Sequence, residues 1–249
     1  MTVSIVIPNY NGAKHIDQCI RSCVSQSYSD IEIIFVDDAS TDDSINVVSR
    51  ISDKRLKVIR REKNGGTAAA RNTGIAATSG EFVAFLDSDD MLTVDSVSRR
   101  VKMFVFPWVG IVSGGSYLVD GDKGVKHFYR NHDQLRKRYG KYVHSPTGMI
   151  RSWLLEMHGG FDERCLLSED REFWATMLLV HKIPMIKLVE PVAYYRRHST
   201  NKLRNATEEE RAAETKLIEG ILKDKGVEDS SIEPMEAGFI FNYDSLRDK

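Results

Sequence analysis

Residues 31–52 read IEIIFVDDASTDDSINVVSRIS, and the change of pattern inside them decides the fold. Ile31 to Val36 is an almost unbroken apolar, β-branched run of the kind that forms a strand buried on both faces. It stops on Asp37-Asp38, and from Thr41 the apolar residues recur at helical spacing behind a Thr or Asp capping signal. The same order stands on either side. VSIVIP (3–8) is an apolar run closed by Pro8, and a helical stripe of Ile16, Cys19, Ile20, Cys23 and Val24 follows it. LKVIR (56–60) precedes the Ala-rich GGTAAARNTGIAAT (65–78), and EFVAFLD (81–87) is a fourth strand. Apolar strands alternating with helices predict an α/β fold with a Rossmann-like, mostly parallel central sheet and helices on both faces. Ligands of such sheets gather beyond the carboxyl ends of the strands. Three of those ends are polar here: Pro8-Asn9-Tyr10-Asn11, Asp37-Asp38 and Asp87-Ser88-Asp89-Asp90.

The bounds agree with a soluble globular chain. It has 249 residues, 41% of them hydrophobic, 29% charged, and a formal net charge of -1, which gives no footprint for nucleic acid. No apolar run reaches the roughly 18 residues of a membrane span, and MTVSIVIPNYNG lacks a signal-peptide pattern, so the expected location is the cytoplasm. Cys19, Cys23 and Cys165 have no metal-binding spacing and read as buried thiols.

Beyond Phe106-Pro107 the pattern loosens. GIVSGGSYLVD and GVKHFY read as strands, residues 151–157 and 170–181 as helices, and TEEERAAETKLIEGILKDKG (207–226) as a charged helix before a tail with no assignment. Between Lys123 and Lys141 stand seven Lys or Arg against Asp122 and Asp133. A solvated helix face is the plain reading; the sharper one is a surface, with Arg136, Lys137 and Arg138 at its centre, that attracts an anionic acceptor at a membrane face. His127, His132 and His144 show no metal-ligand spacing.

Neither the phosphate-binding nor the dinucleotide glycine signature follows any strand, so a phosphorylated ligand at this edge would need a metal in place of a glycine cradle. Asp87 and Asp89 are hard oxygen ligands of the kind that Mg²⁺ or Mn²⁺ accepts, with phosphate oxygens and water completing the shell.

SIVIPNYN (4–11), IEIIFVDDASTD (31–42), KNGGTAAARNTGI (63–75), FLDSDD (85–90) and GGFDERCLLSEDREFW (159–174) stand in the order found in family 2 glycosyltransferases, and the chain resembles that family over residues 3–200. The resemblance implies a GT-A fold and an inverting, metal-dependent transferase that takes a sugar from a nucleoside-diphosphate donor, with a UDP-sugar favoured. It assigns Pro8, Tyr10 and Asn11 to the nucleoside pocket and Asp38, with Asp37 beside it, to recognition of the base. Lys63, Asn64 and Arg71 would line base and diphosphate. In the D-x-D element, Asp87-Ser88-Asp89, it gives Asp89 metal contact and Asp87 a place at ribose or metal, with Mn²⁺ or Mg²⁺ as cofactor. Asp170 would be the base that takes the acceptor proton, and Glu169 would position acceptor or base. His198 and Arg196 would be donor contacts, His198 as a metal ligand.

Plainer readings stand beside these. Asp37 and Asp38 could cap the helix that begins near Asp42, Arg71 could be solvated, Ser168-Glu169-Asp170 could be a helix cap, and His198 could be exposed. Asp90 is a helix cap or a support behind the ligands. Trp153, Phe161 and Trp174 could stack on a sugar, with core packing favoured.

The expected organisation is a glycosyltransferase domain over 1–205, split into a nucleotide-sugar half (1–106) and an acceptor half (107–205), and a helical extension and tail over 206–249. The expected reaction moves one sugar to a glycan or lipid-linked glycan for surface polysaccharide or glycoconjugate synthesis. The Q-x-x-R-W element and membrane spans of processive members are absent from the sequence. The partners include a donor, an acceptor, a membrane surface at the cytoplasmic face of the inner membrane and a second copy of the chain, with no nucleic acid. Two competitors are a binding homologue without turnover and a sugar-phosphate nucleotidyltransferase, whose glycine-rich start is missing after the first strand.

Overall fold

The computed structural model describes residues 1–120, the backbone of 125–129, and residues 143, 145–199 and 205–227. The side chains of the basic stretch 123–141, His144 and the tail 228–249 lie outside the described residues.

Strands β1 (Val3–Asn9), β2 (Ile31–Asp37), β3 (Leu56–Arg60) and β4 (Phe82–Phe85) alternate with helices α1 (Ile16–Val24), α2 (Ser44–Ser49) and α3 (Gly66–Ile75). They pair in parallel in the order β3-β2-β1-β4, which brings their carboxyl ends to one edge. All seven residues of β1 are buried, and alternate side chains serve opposite faces. Ile5 and Ile7 pack with Cys19, Ile20 and Cys23 of α1, while Val6 packs on the other face with Ala68, Phe85, Phe161 and Trp174. Each such apolar side chain contributes about 1.5–3 kcal/mol when fully buried.

The second half is mixed rather than parallel. It comprises β5 (Met91–Leu92), α4 (Ser96–Met103), β6 (Ile111–Asp120), β7 (Val125–Tyr129), β8 (Met149–Arg151), α5 (Ser152–His158), α6 (Glu169–Ala175), a π-helical turn (Thr176–Val180), β9 (Met185–Arg197) and α7 (Glu208–Asp224). The sheet continues β4-β8-β6-β9-β5, with β7 on the flank of β6. There β8 runs antiparallel to β4 and β6, whereas β9 runs parallel to β6. The pattern above does not anticipate β9, because Pro191 interrupts it and a proline speaks against a central strand. Its missing N–H is accommodated where the register shifts opposite Gly115.

Two features carry α3 to the site. A methyl group on Gly74 would lie 2.3 Å from Val6 Cγ1, so the helix rests directly on β1. Arg71 lies three residues earlier on the same face and is therefore driven inward, to 1% exposure. All three cysteines are buried and free, and burial pushes the Cys23 thiol up to about 12, where it is inert. Among the described residues, no helix is long and apolar enough to cross a membrane.

Candidate active site

The end of β1 turns through Asn11, whose φ of 52° is the left-handed conformation that Asn tolerates. Its backbone N–H donates to Ser40 Oγ at 2.9 Å, and its Oδ1 accepts from the Thr41 N–H at 2.8 Å. Asn11 thus ties the β1 end to the loop after β2, with buried Pro8 behind it and Tyr10 standing out, 52% exposed.

Neither aspartate at the end of β2 caps α2, which begins at Ser44. Asp37 accepts from Asn9 Nδ2 and the Ser40 N–H, both at 3.2 Å, with Arg60 Nε at 3.9 Å. Asp38 takes Arg61 on Oδ1 and the N–H groups of Gly65 and Gly66 at 3.1 and 2.8 Å, so it braces the loop that opens α3. Asn64 Nδ2 reaches the Asp38 carbonyl at 3.4 Å, and Lys63 is exposed beside it.

At the end of β4 the aspartates divide. Asp87 accepts from Arg71 Nη2 at 2.5 Å. Asp89 lies 2.8 Å from His198 Nε2 and, like Asp87 and Ser88, is half-buried. Asp90 is 1% exposed: its Oδ1 accepts the Arg196 N–H at 2.8 Å, while its Oδ2 has no hydrogen-bond partner among the described residues. Burial, with the charges of Asp89 and Asp87 added, raises the Asp90 pKa well above the usual carboxylate range. It caps no helix, since α4 begins only at Ser96. Arg196 brackets the same turn, donating from Nε to the Asp89 carbonyl at 3.0 Å and from Nη2 to Gln18 Oε1 at 2.6 Å.

Arg71 joins the two halves. Besides Asp87 it donates to Glu169 Oε1 at 2.5 Å, 98 residues away, with its guanidinium carbon 5.0 Å from the centre of the Phe161 ring. Burial opposes the charge on Arg71, but the carboxylates of Asp87 and Glu169 outweigh it and raise its pKa. Burial also raises the pKa of Glu169, against the pull of Arg71, and Asp170 and Asp87 add to the rise. A guanidinium does not give up its proton, so in this pair Glu169 is the partner that adjusts. Asp170 follows, half-buried, in the first turn of α6, where Ser168 makes no side-chain capping bond. The solvated reading of Arg71 is therefore overturned, and so is self-capping by Ser168.

A hard divalent cation in such a site needs only one or two protein carboxylates when phosphate oxygens complete its shell. Among the described residues no group of three His, Cys, Asp or Glu could hold a metal by itself. Asp89 and His198 bring a carboxylate and an imidazole together, donor chemistry that fits Mn²⁺. The His15 ring, 5.1 Å from that of His198, flanks it. Trp174 and Phe161 are core residues, at 0% and 4% exposure, and do not offer a sugar-stacking face.

Arg61, Gln18 and His15 belong to this edge, and the sequence reading passes over them. Only Arg61, two residues before Lys63, lay near a recognised motif; Gln18 and His15 sit on or before α1 with no spacing signal of their own.

Residues 4–162 match the sequence model of glycosyl transferase family 2. A glycosyltransferase of Nostoc sp. is 30% identical over 236 residues, covering 89% of this chain and 72% of that protein. The Escherichia coli UDP-Glc:alpha-D-GlcNAc-diphosphoundecaprenol beta-1,3-glucosyltransferase WfgD is 33% identical over 126 residues, 51% of this chain and 50% of its own length. Such matches span about half of the relatives or less, 42% for a Haemophilus influenzae glycosyltransferase that is 41% identical over 105 residues, 41% of this chain. In structure, the chain superposes on S. aureus TarS 1-349 in complex with UDP-GlcNAc with a TM-score of 0.75, at 23% identity, covering 93% of this chain and 69% of that one. The mannosyltransferase PcManGT of Pyrobaculum calidifontis in complex with GDP-Man and Mn²⁺ gives 0.74 at 22%, covering 94% and 67%. The shared fold is the GT-A fold that the motifs imply.

Proposed function

The chain belongs to glycosyl transferase family 2, and on that premise we propose that it moves one sugar, with inversion, from a nucleoside-diphosphate donor to a hydroxyl of a glycan or lipid-linked glycan. The observation that carries the proposal is the Arg71 bridge: one buried cation joins the donor-side Asp87 to Glu169, next to Asp170. In a single displacement the acceptor oxygen bonds to the anomeric carbon as the bond to the diphosphate breaks. The Asp170 carboxylate receives the hydroxyl proton, and the negative charge leaves with the nucleoside diphosphate. Glu169, held by Arg71, orients the acceptor. Asp38, Asp37, Pro8, Tyr10, Asn11, Lys63 and Asn64 line the nucleoside end, with Ser88 and Arg196 at the diphosphate turn. Asp89 and His198, with Asp87 nearby, would hold Mn²⁺ or Mg²⁺, which when bound offsets charge on the leaving diphosphate.

A UDP-sugar is the favoured donor, in keeping with the UDP-Glc of WfgD and the UDP-GlcNAc bound to TarS. The diphosphoundecaprenol-linked acceptor of WfgD supports a lipid-linked acceptor here, met at the cytoplasmic face of a membrane in surface polysaccharide synthesis. The test is transfer or hydrolysis of UDP-glucose, UDP-N-acetylglucosamine and GDP-mannose with Mn²⁺, by the parent and by Asp170→Asn. The expected loss in the variant is about 10²–10⁴-fold, with UDP affinity retained. Turnover by Asp170→Asn at the parent rate would remove Asp170 as the base.

A further inference from the structure

Three consecutive backbone N–H groups, those of Leu166, Leu167 and Ser168, converge on the Glu214 carboxylate at 3.3, 2.9 and 3.0 Å. Glu214 lies midway along α7 and is 8% exposed. The residues that follow this turn are Glu169 and Asp170. We infer that Glu214 is a positioning residue: through this carboxylate, α7 holds the turn that sets Glu169 and Asp170 over the donor edge. The inference rests on the reading of Asp170 as the base.

Residues 166–168 belong to no strand, and Ser168 gives α6 no side-chain cap, so the entry to the helix is held from outside. Successive N–H groups that converge on one point form a small anion-binding concavity, and a charged acceptor makes each bond stronger than a neutral one would. The carrier of that carboxylate is itself fixed. A capping box between Thr207 and Glu210 defines the start of α7, with bonds of 3.1 and 2.7 Å. Ile218, Ile221, Leu222 and Val227 pack with Cys165, and Lys225 Nζ reaches Glu172 Oε1 at 2.8 Å on α6. Arg171, the residue after Asp170, donates to Thr215 Oγ1 at 3.3 Å, so the turn is gripped on both sides of the acid pair.

The test uses the full chain with Mn²⁺ and the UDP-sugar that the parent turns over. Glu214→Gln keeps the shape but removes the charge and sets an NH₂ among N–H groups. The expected result is faster amide exchange at residues 166–168 and a kcat lower by about 10- to 100-fold, as for a small misplacement of a reacting group, at unchanged donor KM and UDP affinity. Lys225→Met removes one tie between α7 and α6 but leaves the three bonds to Glu214 in place, so its kcat should fall less than that of Glu214→Gln. Parent kcat in Glu214→Gln, an equal fall in Lys225→Met, or donor affinity lost along with kcat would each overturn the inference. So would fast exchange of the 166–168 amides in the parent itself, a readout that does not depend on a variant folding. Asp170→Asn, run alongside, separates the two readings. If it turns over at the parent rate, the base assignment fails and takes this inference with it; if it is inactive while Glu214→Gln is not slowed, only this inference fails.

Discussion

Glu32 and Glu169 are the same residue type at the two opposite edges of one sheet, each 7% exposed, and their acidities move in opposite directions. At the amino edge, burial pushes Glu32 up, but hydrogen bonds from Lys57, Ser4 and Ser79 outweigh it and bring its pKa down to about 2. The distances are 2.6 Å to Lys57 Nζ, 2.6 Å to Ser4 Oγ and 2.6 Å to the Ser79 N–H. At the carboxyl edge burial also leads, Arg71 and then a backbone hydrogen bond pull against it, and the charges of Asp170 and Asp87 push the same way as burial. Equal exposure therefore hides unequal depth: Glu169 lies deeper among its neighbours than Glu32, and desolvation and the supply of donors together decide the outcome. One edge is assembled for stability and the other carries crowded acids, the arrangement expected where charge is to be handled in a reaction.

The signs follow for pH. Glu169 has a folded pKa above its ordinary 4.5, so its contribution to stability is fully present below pH 4.5 and is lost as pH rises through the folded value. Glu32 is the reverse: its contribution is present above pH 4.5 and is lost as pH falls toward about 2.

The strongest way to break the contrast is Arg71→Met, which leaves Glu169 buried without its cation. Urea unfolding should show a loss of about 3 kcal/mol or more at pH 8 and a smaller one at pH 5, where Glu169 can take up a proton. A loss independent of pH would mean that Arg71 acts by packing on Phe161 rather than by charge. Next in size, Glu32→Gln removes the charge from the well-supplied edge and should cost about 1–2 kcal/mol at neutral pH. The same variant should flatten the acid limb of stability between pH 4.5 and about 2; an unchanged limb would show that other carboxylates produce it. The smallest effect is expected from Asp90→Asn, which relieves a buried carboxyl with one oxygen unpartnered among the described residues while keeping an acceptor for the Arg196 N–H. Its unfolding free energy should stay equal or rise by about 1 kcal/mol, and a clear loss would show that the charge of Asp90 is needed.

The acidic ends of β2 and β4, the acid pair Glu169-Asp170 and the helix over 207–226 were legible because each is a local pattern within a few residues. The strand β9 was not, because Pro191 masks it and only the shifted register opposite Gly115 makes it tolerable. The resemblance set His198 and Asp89 on one metal, but no local pattern links two residues 109 positions apart. The Arg71 bridge and the Glu214 clamp were equally hidden, for they join positions 98 and up to 48 residues apart.

Periodicity and composition by themselves determined that this chain alternates strands with helices and ends its first strands on polar residues along one edge, because those preferences act between near neighbours. The tertiary structure alone decided which buried carboxylate is satisfied and which is strained by its neighbours. Desolvation and hydrogen-bond supply depend on what the fold brings within about 3 Å, and residues far apart in sequence provide both.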